Sequence, residues 1–578
     1  MRHHAKAVYR LIVEVAIALV LYCVLRPLDI SHDAAINLNI GQMLIDGKLP
    51  YVDIMDTNPP LVMYLHAIPA LVARWVPLHV ILVYSLMVLA VAVYSVWAVR
   101  RVMAVSGLDD SEEDLAILLL SWLVFTLALR VLNVYLFGQR EHLLVLAYLP
   151  FLVMRWVRWE GGFVRRPMAI VVGVVAAMGA CIKPHFVLLA VLPEMYWVVA
   201  KRAWRPLVRI ETLAFVLTGL LYVTHFLLLP AQVQEALWNR WLPAMVSHYD
   251  AYNVSLRHLL ASPDIQFACA MILAPFVLPA FRKSGLGRLA GPMAFMTLGA
   301  VFFFVLQHKG WSYHALPASA GAFLLLVLAI LHLRRLAPWS SAILAAAGLA
   351  TLAFLVALGH LHWSAAPVIV GWLVIAGLLP LLQGRSVPWT APVWMSRLLA
   401  VLPHAVLAVI VARAVAVRVS KGAEYVFEGN PIAAAVARYT SEGDPVLFIS
   451  TSVEPAYPLL VQMNRRPASR YLWSFMVPMF YKGVHPGADG QFPYHVTNTP
   501  PEEARYLREL ADDIAASRPA LIVIVEGPWQ ASPPGFDLVQ YLGKTGFAKT
   551  AMKDYVALPE RAWDTRIFVP KEAMRGRP

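Results

Sequence analysis

Acidic residues gather in a turn-rich segment at residues 29–64, between a first apolar stretch and a long series of others. Asp33 opens a stretch with helical periodicity, and Asp53 and Asp56 flank a turn that closes at Asn58-Pro59-Pro60. Carboxylates lose hydration in lipid, so their position beside apolar stretches predicts a polar reaction site at a membrane surface. A carboxylate at such a site can act as a general base and take a proton from a hydroxyl group.

Each of these carboxylates also has a structural interpretation. Asp33 could cap the helix that it opens, because a carboxylate interacts favourably with a helix N-terminus. Asp53 and Asp56 could be turn-forming residues, or they could orient a sugar or a divalent cation. The sequence leaves both interpretations open.

A second candidate site lies in a short loop between two apolar runs. Gln139, Arg140, Glu141 and His142 place an amide, a guanidinium, a carboxylate and an imidazole in four successive positions. A guanidinium group suits phosphate because it donates two parallel hydrogen bonds. The alternative is a hydrated loop tip in which Arg140 and Glu141 pair with each other.

A third candidate site lies in another short loop. It contains His308, Lys309, Trp311, Tyr313 and His314. Lys309 and the two histidines could bind phosphate, while the aromatic side chains could stack on a sugar. Tryptophan and tyrosine are also common at the membrane interface, so Trp311 and Tyr313 could instead be interfacial residues.

Two more charged features adjoin an apolar run. Lys183 and His185 flank Pro184 at a turn, and Glu194 lies inside the run that follows. An ionised carboxylate at that depth costs about 3 kcal/mol. Glu194 is therefore expected to face a water-filled cavity or to pair with a cation.

The composition indicates a membrane protein. The chain has 578 residues, of which 60% are hydrophobic and 14% are charged, too few charges for a soluble protein of this size. The net charge is +13, but the basic residues form short clusters between apolar runs. This pattern is typical of topology signals that face anionic lipid, and it argues against nucleic-acid binding.

Apolar runs long enough to cross a hydrocarbon core of about 30 Å predict about thirteen transmembrane helices. They lie near residues 8–25, 78–99, 115–132, 143–157, 168–182, 184–200, 210–229, 266–281, 289–306, 314–333, 341–359, 366–382 and 398–417.

The basic residues divide unevenly between alternate loops. The richer set includes Lys6, Arg100-Arg101 and Lys201-Arg202. By the positive-inside rule these loops are cytoplasmic, which places the amino terminus inside and the acidic segment and the carboxyl terminus outside a cell inner (plasma) membrane. The moderately long apolar stretch at 61–75 is interpreted as an interfacial helix on the outer surface, beside a second at 33–47.

After about residue 420 the chain becomes richer in polar and turn residues. Strand-like runs at 446–450, 521–525 and 566–569 alternate with helical patterns at 431–441, 501–517 and 536–545. This alternation predicts an extracytoplasmic α/β domain at 421–578. It would follow a transmembrane domain at 1–420, which includes the outer loop and interfacial helices at 26–76.

The order of these features resembles the GT-C membrane glycosyltransferases, most closely their protein O-mannosyltransferase and aminoarabinose-transferase branch. The matching residues are Asp33, Gly47-Lys48-Leu49-Pro50-Tyr51, Asp53 and Asn58-Pro59-Pro60. Two positions depart from that pattern. Ala34 stands where the family often has a second acidic residue, and Asn58 stands where a lysine commonly precedes the proline pair. A metal site and one phosphate contact are thereby weakened, and Arg140, Lys183 or Lys309 could supply the cation instead.

The resemblance implies an inverting transfer of a sugar from polyprenyl phosphate to a hydroxyl acceptor on a glycan, lipid or protein, at the outer face of the membrane. Asp33 would be the general base, membrane lipid would surround the donor, and no cofactor is required, although a divalent cation is compatible. The expected substrate-binding residues are Asp53, Asp56, Asn58, Gln139, Arg140, Glu141, His142, Lys183, His185, His308, Lys309, Trp311, Tyr313 and His314.

Other functions also fit the sequence. A ligase with a diphosphate-linked glycan donor, or a phosphoethanolamine-type transferase, would work on the same membrane face. A lipid or solute transporter would carry charged residues throughout its spans and show paired halves. A non-catalytic partner in glycan assembly would tolerate the loss of Asp33, whereas the enzyme would not.

Overall fold

The computed structural model describes residues 2–108, 112–277, 285–336, 393–526 and 533–575. The chain forms two compact units. Unit 1 contains residues 1–26, 85–225 and 254–420, and unit 2 contains residues 27–84, 226–253 and 421–578. The predicted spans at 341–359 and 366–382 lie outside the described residues.

Helices make up most of the described chain. In chain order they are α1 (Arg2–Leu25), α2 (His32–Ile45), α3 (Pro60–Trp75), α4 (Val80–Val105), α5 (Glu112–Leu132), α6 (Arg140–Trp159), α7 (Arg166–Cys181), α8 (Leu188–Lys201), α9 (Ile210–His225), α10 (Ala231–Glu235), α11 (Leu242–His248), α12 (Leu256–Leu260), α13 (Pro263–Val277), α14 (Ala290–Gln307), α15 (Leu316–Leu336), α16 (Val393–Lys421), α17 (Pro431–Tyr439), α18 (Ala456–Gln462), α19 (Met476–Phe480), α20 (Pro501–Ser517), α21 (Leu538–Lys544), α22 (Phe547–Thr550) and α23 (Lys571–Arg575).

Among the described residues, seven helices are long and apolar enough to cross a membrane. They are Ala5–Leu25, Val80–Val105, Glu112–Leu132, Ile210–Leu228, Gly285–Gln307, Ser312–His332 and Pro403–Lys421. The chain is therefore a mainly helical membrane protein. Helices α7 and α13 are apolar but shorter, and α6 carries four charged residues. The count of about thirteen spans stays a prediction, as does the orientation.

In unit 1, two helices pack closely enough to bring the start of one near the end of the other. Helix α8 packs against α14, and a Cβ atom at Gly299 would lie 2.7 Å from the backbone oxygen of Leu188. Only glycine permits this approach of the two backbones. The contact places the turn before α8, at residues 183–187, near the carboxyl end of α14.

Unit 2 joins an amino-terminal helix pair to the carboxyl-terminal segment. Helix α2 packs on α3, and Gly41 allows this contact because a Cβ atom there would collide with the carbonyl group of His66. Met55 then donates its backbone N–H to the carbonyl oxygen of Arg470 at 2.9 Å. Unit 2 is therefore assembled from parts of the chain that are far apart in sequence.

The carboxyl-terminal segment contains the small sheet of unit 2. Its strands are β1 (Pro445–Ile449), β2 (Arg466–Pro467), β3 (Leu521–Val525), β4 (Tyr555–Arg561) and β5 (Thr565–Pro570), in the order β2-β1-β3-β5-β4. β1 is parallel to β2 and β3, whereas β5 is antiparallel to β3 and β4. β1 and β3 are apolar runs that are almost wholly buried, as central strands require.

The sequence predicted three of these strands and missed two. The predicted strand-like runs correspond to β1, β3 and β5, and the helical patterns correspond to α17, α20 and α21. β2 has two residues, too few for a periodic pattern. β4 is an edge strand that contains Pro559 and an irregularity between Ala557 and Arg561, and these features obscured it.

Candidate functional site

The predicted site residues fall into two groups, one in each unit. In unit 1 the amino-terminal end of α6, the 3-10 turn Pro184–Val187, the carboxyl end of α14 and the 3-10 turn Ser312–Ala315 converge. We call the side chains that meet there the cationic cluster. Its members are Arg140, Glu141, Lys183, His185, Gln307, Lys309, Tyr313 and His314.

The centre of the cationic cluster is an ion pair between Lys183 and Glu141. Lys183 Nζ lies 2.5 Å from Glu141 Oε1, and Glu141 is fully buried. The same Nζ lies 3.2 Å from His314 Nε2 and 3.4 Å from Gln307 Oε1. Four elements that are distant in sequence thus share one ammonium group. The expectation of a hydrated loop tip is wrong, because the whole start of α6 is buried.

Tyr313 lies between two cations of the cluster. The Arg140 guanidinium carbon is 5.4 Å from the centre of the Tyr313 ring, and Lys183 Nζ is 5.7 Å from it. These distances are within the range of cation–π attraction. The Tyr313 ring also contacts the His314 ring edge-on, with 4.5 Å between the ring centres. Tyr313 therefore helps to position both cations.

Three cationic side chains of the cluster are deeply buried. The exposed fractions are 6% for Arg140, 7% for Lys183 and 7% for Lys309. All three lie close enough to His314 to act on it electrostatically. The attraction between such cations and an anion strengthens as the local dielectric constant falls. This part of unit 1 has the composition of an anion-binding site.

Other buried polar atoms border the same cluster. Within the described part of the chain, Glu141 Oε2, His185 Nε2 and His314 Nδ1 have no hydrogen-bond partner. The His185 ring stacks on Phe303 of α14, with 5.6 Å between the ring centres. Buried polar atoms of this kind are commonly satisfied by ordered water or by a ligand.

Four other predicted residues of unit 1 have mainly structural contacts. Gln139 precedes α6 and donates from Nε2 to the carbonyl oxygen of Tyr135, while His142 Nδ1 accepts the backbone N–H of Gly138. His308 ends α14 in the left-handed conformation. Trp311 packs against the ring of His314, with 5.2 Å between ring centres.

Asp33 lies in the first turn of α2, in unit 2. The N-cap residue is Ser31, whose Oγ accepts the backbone N–H of Ala34 at 3.2 Å. Asp33 is therefore not the N-cap residue. Its side chain is 13% exposed and its Oδ1 lies 3.8 Å from His32 Nε2. A carboxylate in this position still interacts favourably with the helix N-terminus.

The other two predicted carboxylates, Asp53 and Asp56, lie in the turn after α2 and form local hydrogen bonds there. Asp53 Oδ2 accepts the backbone N–H of Leu49 at 2.9 Å. Asp56 accepts from the Asn58 side-chain amide at 2.9 Å, and Tyr51 donates its hydroxyl to the carbonyl oxygen of Asn58 at 2.7 Å. These contacts fit the interpretation as turn-forming residues. A role of these residues in substrate binding stays a prediction.

No group of three or more metal-ligating side chains is found among the described residues. The compatibility of the site with a divalent cation stays an untested expectation.

Glu194 pairs with a cation, as one of its two predicted interpretations requires. Arg155 donates to both carboxylate oxygens of Glu194, at 2.5 and 3.0 Å, and also to Glu211 at 2.9 Å. Trp159 donates to Glu194, and Arg158 donates to Glu211. The charges of Arg155 and Arg158 are thus neutralised by two carboxylates. These residues lie at the opposite end of α6 from the cationic cluster.

Comparison with solved structures finds a similar fold in ArnT from Cupriavidus metallidurans, in a crystal structure with undecaprenyl phosphate bound. The two chains are 16% identical, the match covers 96% of this chain and 97% of that chain, and the TM-score is 0.51. At this level of identity the likeness shows a shared overall fold, and it indicates no specific family member. No protein-family model matches the chain, and no curated protein matches it.

Proposed function

We propose that this chain is a membrane glycosyltransferase that moves a sugar from a polyprenyl-phosphate donor to a hydroxyl acceptor on a glycan, lipid or protein. The observation that carries the proposal is the burial of Arg140, Lys183 and Lys309 together in the cationic cluster. Charge-assisted hydrogen bonds from such side chains are the strongest that a protein offers to phosphate. The fold shared with a protein that holds undecaprenyl phosphate supports the same ligand class.

In the proposed reaction, Asp33 takes the proton of the acceptor hydroxyl group. The acceptor oxygen attacks the anomeric carbon of the sugar while the bond from that carbon to the phosphate oxygen breaks. The proton goes to the Asp33 carboxylate, and the bonding electron pair leaves with the polyprenyl phosphate. A single displacement from the opposite side inverts the configuration of the anomeric carbon.

The cationic cluster would stabilise the negative charge that develops on the departing phosphate. Arg140 can donate two parallel hydrogen bonds to phosphate oxygens, whereas Lys309 acts as a point charge. Removal of one such preorganised donor typically costs about 3–4 kcal/mol of transition-state stabilisation. Lys183 has a second task, because it neutralises the buried Glu141.

The physical state of the two substrates explains why a membrane protein would do this chemistry. A polyprenyl chain is soluble only in the bilayer, whereas the sugar and the acceptor hydroxyl are hydrated. An enzyme at the outer face of the inner membrane would meet both. The positive-inside pattern supports this orientation, with the amino terminus in the cytoplasm.

The test is a transfer assay with the full-length protein in lipid nanodiscs. The protein is given a panel of polyprenyl-phosphate-linked sugars and a membrane extract as the source of hydroxyl acceptors, and the release of polyprenyl phosphate is measured. We expect one donor of the panel to be consumed and its sugar to appear on an acceptor with inverted anomeric configuration.

Two other results would overturn the proposal. Movement of the intact lipid-linked sugar across a liposome bilayer, without cleavage, would indicate a transporter. Binding without cleavage, in a protein whose cellular role survives the change Asp33→Asn, would indicate a non-catalytic partner in glycan assembly.

A further inference from the structure

The loop between β1 and α18 holds one residue, Glu454, in a fixed position. Glu454 donates its backbone N–H to Ser452 Oγ at 3.2 Å, and its carbonyl oxygen accepts from Ser450 Oγ at 3.3 Å. Ser452 in turn donates its N–H to Ser450 Oγ at 3.1 Å. The loop is therefore tied to itself by serine side chains, which hold the backbone of Glu454 in place.

The same part of unit 2 is attached to α2. Helix α18 packs against α2, and the buried Tyr457 hydroxyl donates to Asn39 Oδ1 at 2.8 Å. At the other end of α18, Gln462 donates to the carbonyl oxygen of Leu28 at 2.9 Å. These two hydrogen bonds bracket the contact and fix the position of α2 along α18. His32, at the start of α2, also contacts the loop that carries Glu454, because Glu454 Oε1 lies 3.4 Å from His32 Nδ1.

The result is a row of two carboxylates with one imidazole between them. Glu454 Oε1 lies 3.4 Å from His32 Nδ1, and Asp33 Oδ1 lies 3.8 Å from His32 Nε2. The two ring nitrogens of His32 thus face different carboxylates. Exposure of the side chains rises along the row, from 13% for Asp33 to 27% for His32 and 37% for Glu454.

We infer that His32 and Glu454 are positioning residues for Asp33, and that the carboxyl-terminal segment thereby takes part in the reaction. This inference rests on the proposed function, in which Asp33 removes the acceptor proton. At 3.4 Å the Glu454 carboxylate is in ion-pair contact with the His32 ring, and its charge attracts that ring. The other ring nitrogen, 3.8 Å from Asp33 Oδ1, sets the electrostatic environment of the catalytic carboxylate. Without Glu454 the ring loses this attraction.

The test compares Glu454→Gln with the unchanged full-length protein in nanodiscs. We expect kcat to fall about 10–100-fold, the loss that is typical when a carboxylate partner of a metal-ligating histidine is removed. The KM for the lipid-linked donor should stay unchanged, and the pH–rate profile should shift because the charge beside His32 is gone. Glu454→Asp keeps the charge and should recover part of kcat. Glu442→Gln changes an exposed carboxylate of the same segment and should behave like the unchanged protein.

A double-mutant cycle separates positioning from general destabilisation. If Glu454 acts through the ring, His32→Gln together with Glu454→Gln should lose no more activity than His32→Gln alone. Additive losses with an unshifted pH profile would contradict this. If Glu454→Gln does not fold, Glu454→Asp replaces it in the cycle, and the same lack of additivity is expected with a smaller loss of activity.

Failure of the inference differs from failure of the proposed function. If Asp33→Asn is inactive while Glu454→Gln keeps both kcat and the pH profile, Glu454 is not a positioning residue and the proposed reaction stands. If Asp33→Asn retains full activity, the proposed reaction itself is wrong.

Discussion

The acidic turn of unit 2 and the cationic cluster of unit 1 are assembled in opposite ways. In the turn at residues 47–58, the side-chain hydrogen bonds of Tyr51, Asp53 and Asp56 join residues that are two, four or seven positions apart. In the cluster, Lys183 contacts one partner 42 positions away and another 131 positions away. The side-chain contacts of the turn are thus local in sequence, whereas those of the cluster form only when distant segments fold together.

The two regions also differ in how much stability is lost when one charged side chain is removed. Glu141 and Lys183 are withdrawn from water, so the removal of one leaves the other buried without its partner. Asp33 remains partly exposed at a helix N-terminus, where a neutral amide of the same shape is tolerated. We therefore expect changes in the cluster to affect both stability and activity, and a change at Asp33 to affect activity alone.

The largest expected effect is the loss of activity in Asp33→Asn. A general base typically contributes about 10²–10⁴-fold to the rate, and asparagine cannot accept the proton. The release of polyprenyl phosphate in nanodiscs measures kcat, and thermal unfolding measures stability. Asp46→Asn is the matched control, because Asp46 lies at the other end of α2 with its side chain 52% exposed. A variant that lost stability along with activity would remove the contrast between the two regions.

The second prediction concerns the buried ion pair. Lys183→Met should lower the free energy of unfolding by about 3–5 kcal/mol, because Glu141 is left charged in a buried place. The double variant Glu141→Gln with Lys183→Met should recover much of that stability, since both charges are absent. Thermal unfolding in detergent checks this. Equal losses in the single and double variants would mean that the pair is not electrostatically coupled.

A smaller effect is expected for Arg140→Lys, which keeps the charge but loses the planar fork of donors. The affinity for undecaprenyl phosphate should fall about tenfold, or roughly 1.4 kcal/mol. Native mass spectrometry or a fluorescence titration measures this affinity. Unchanged affinity would show that Arg140 acts only as a point charge or does not contact the phosphate.

The smallest effect is a dependence of stability on pH in unit 2. Burial raises the pKa of Glu509, but hydrogen bonds from Arg240 and Tyr471 outweigh burial and hold it below the ordinary value of 4.5. A carboxylate with a lowered folded-state pKa stabilises the fold above its unfolded-state pKa, and this stability is lost as the pH falls through the folded-state value. Unfolding midpoints measured from pH 6 to pH 3 should decline less in Glu509→Gln than in the unchanged protein.

Local patterns allowed much of the fold to be predicted. The continuous apolar runs of β1 and β3 and the periodicity of α20 identified those elements. Two departures have physical causes. The hydroxyl of Ser31 caps α2 in place of the Asp33 carboxylate, and the edge strand β4 carries a proline that conceals it.

The candidate site was harder to predict because its contacts are distant in sequence. The residue types of Lys183 and His314 were informative. Their spacing in the sequence, however, does not show that they meet each other beside Glu141. Glu454 was missed for the same reason. Its position after the end of an apolar strand was the one available signal. That position does not identify a partner, and only the docking of α18 on α2 brings Glu454 to His32.

The most direct test of the central claim is the affinity of the full-length protein for undecaprenyl phosphate, compared with undecaprenol, which has the same chain and no phosphate. We predict tight binding of the phosphate form, weak binding of the alcohol, and a loss of at least about 100-fold, roughly 2.7 kcal/mol, in the double variant Arg140→Gln with Lys309→Gln. Lys201→Met, which alters a half-exposed lysine of unit 1, should bind like the unchanged protein. Equal affinity for both lipids, or no effect of the double variant, would contradict the assignment of the cationic cluster as the site for the carrier phosphate.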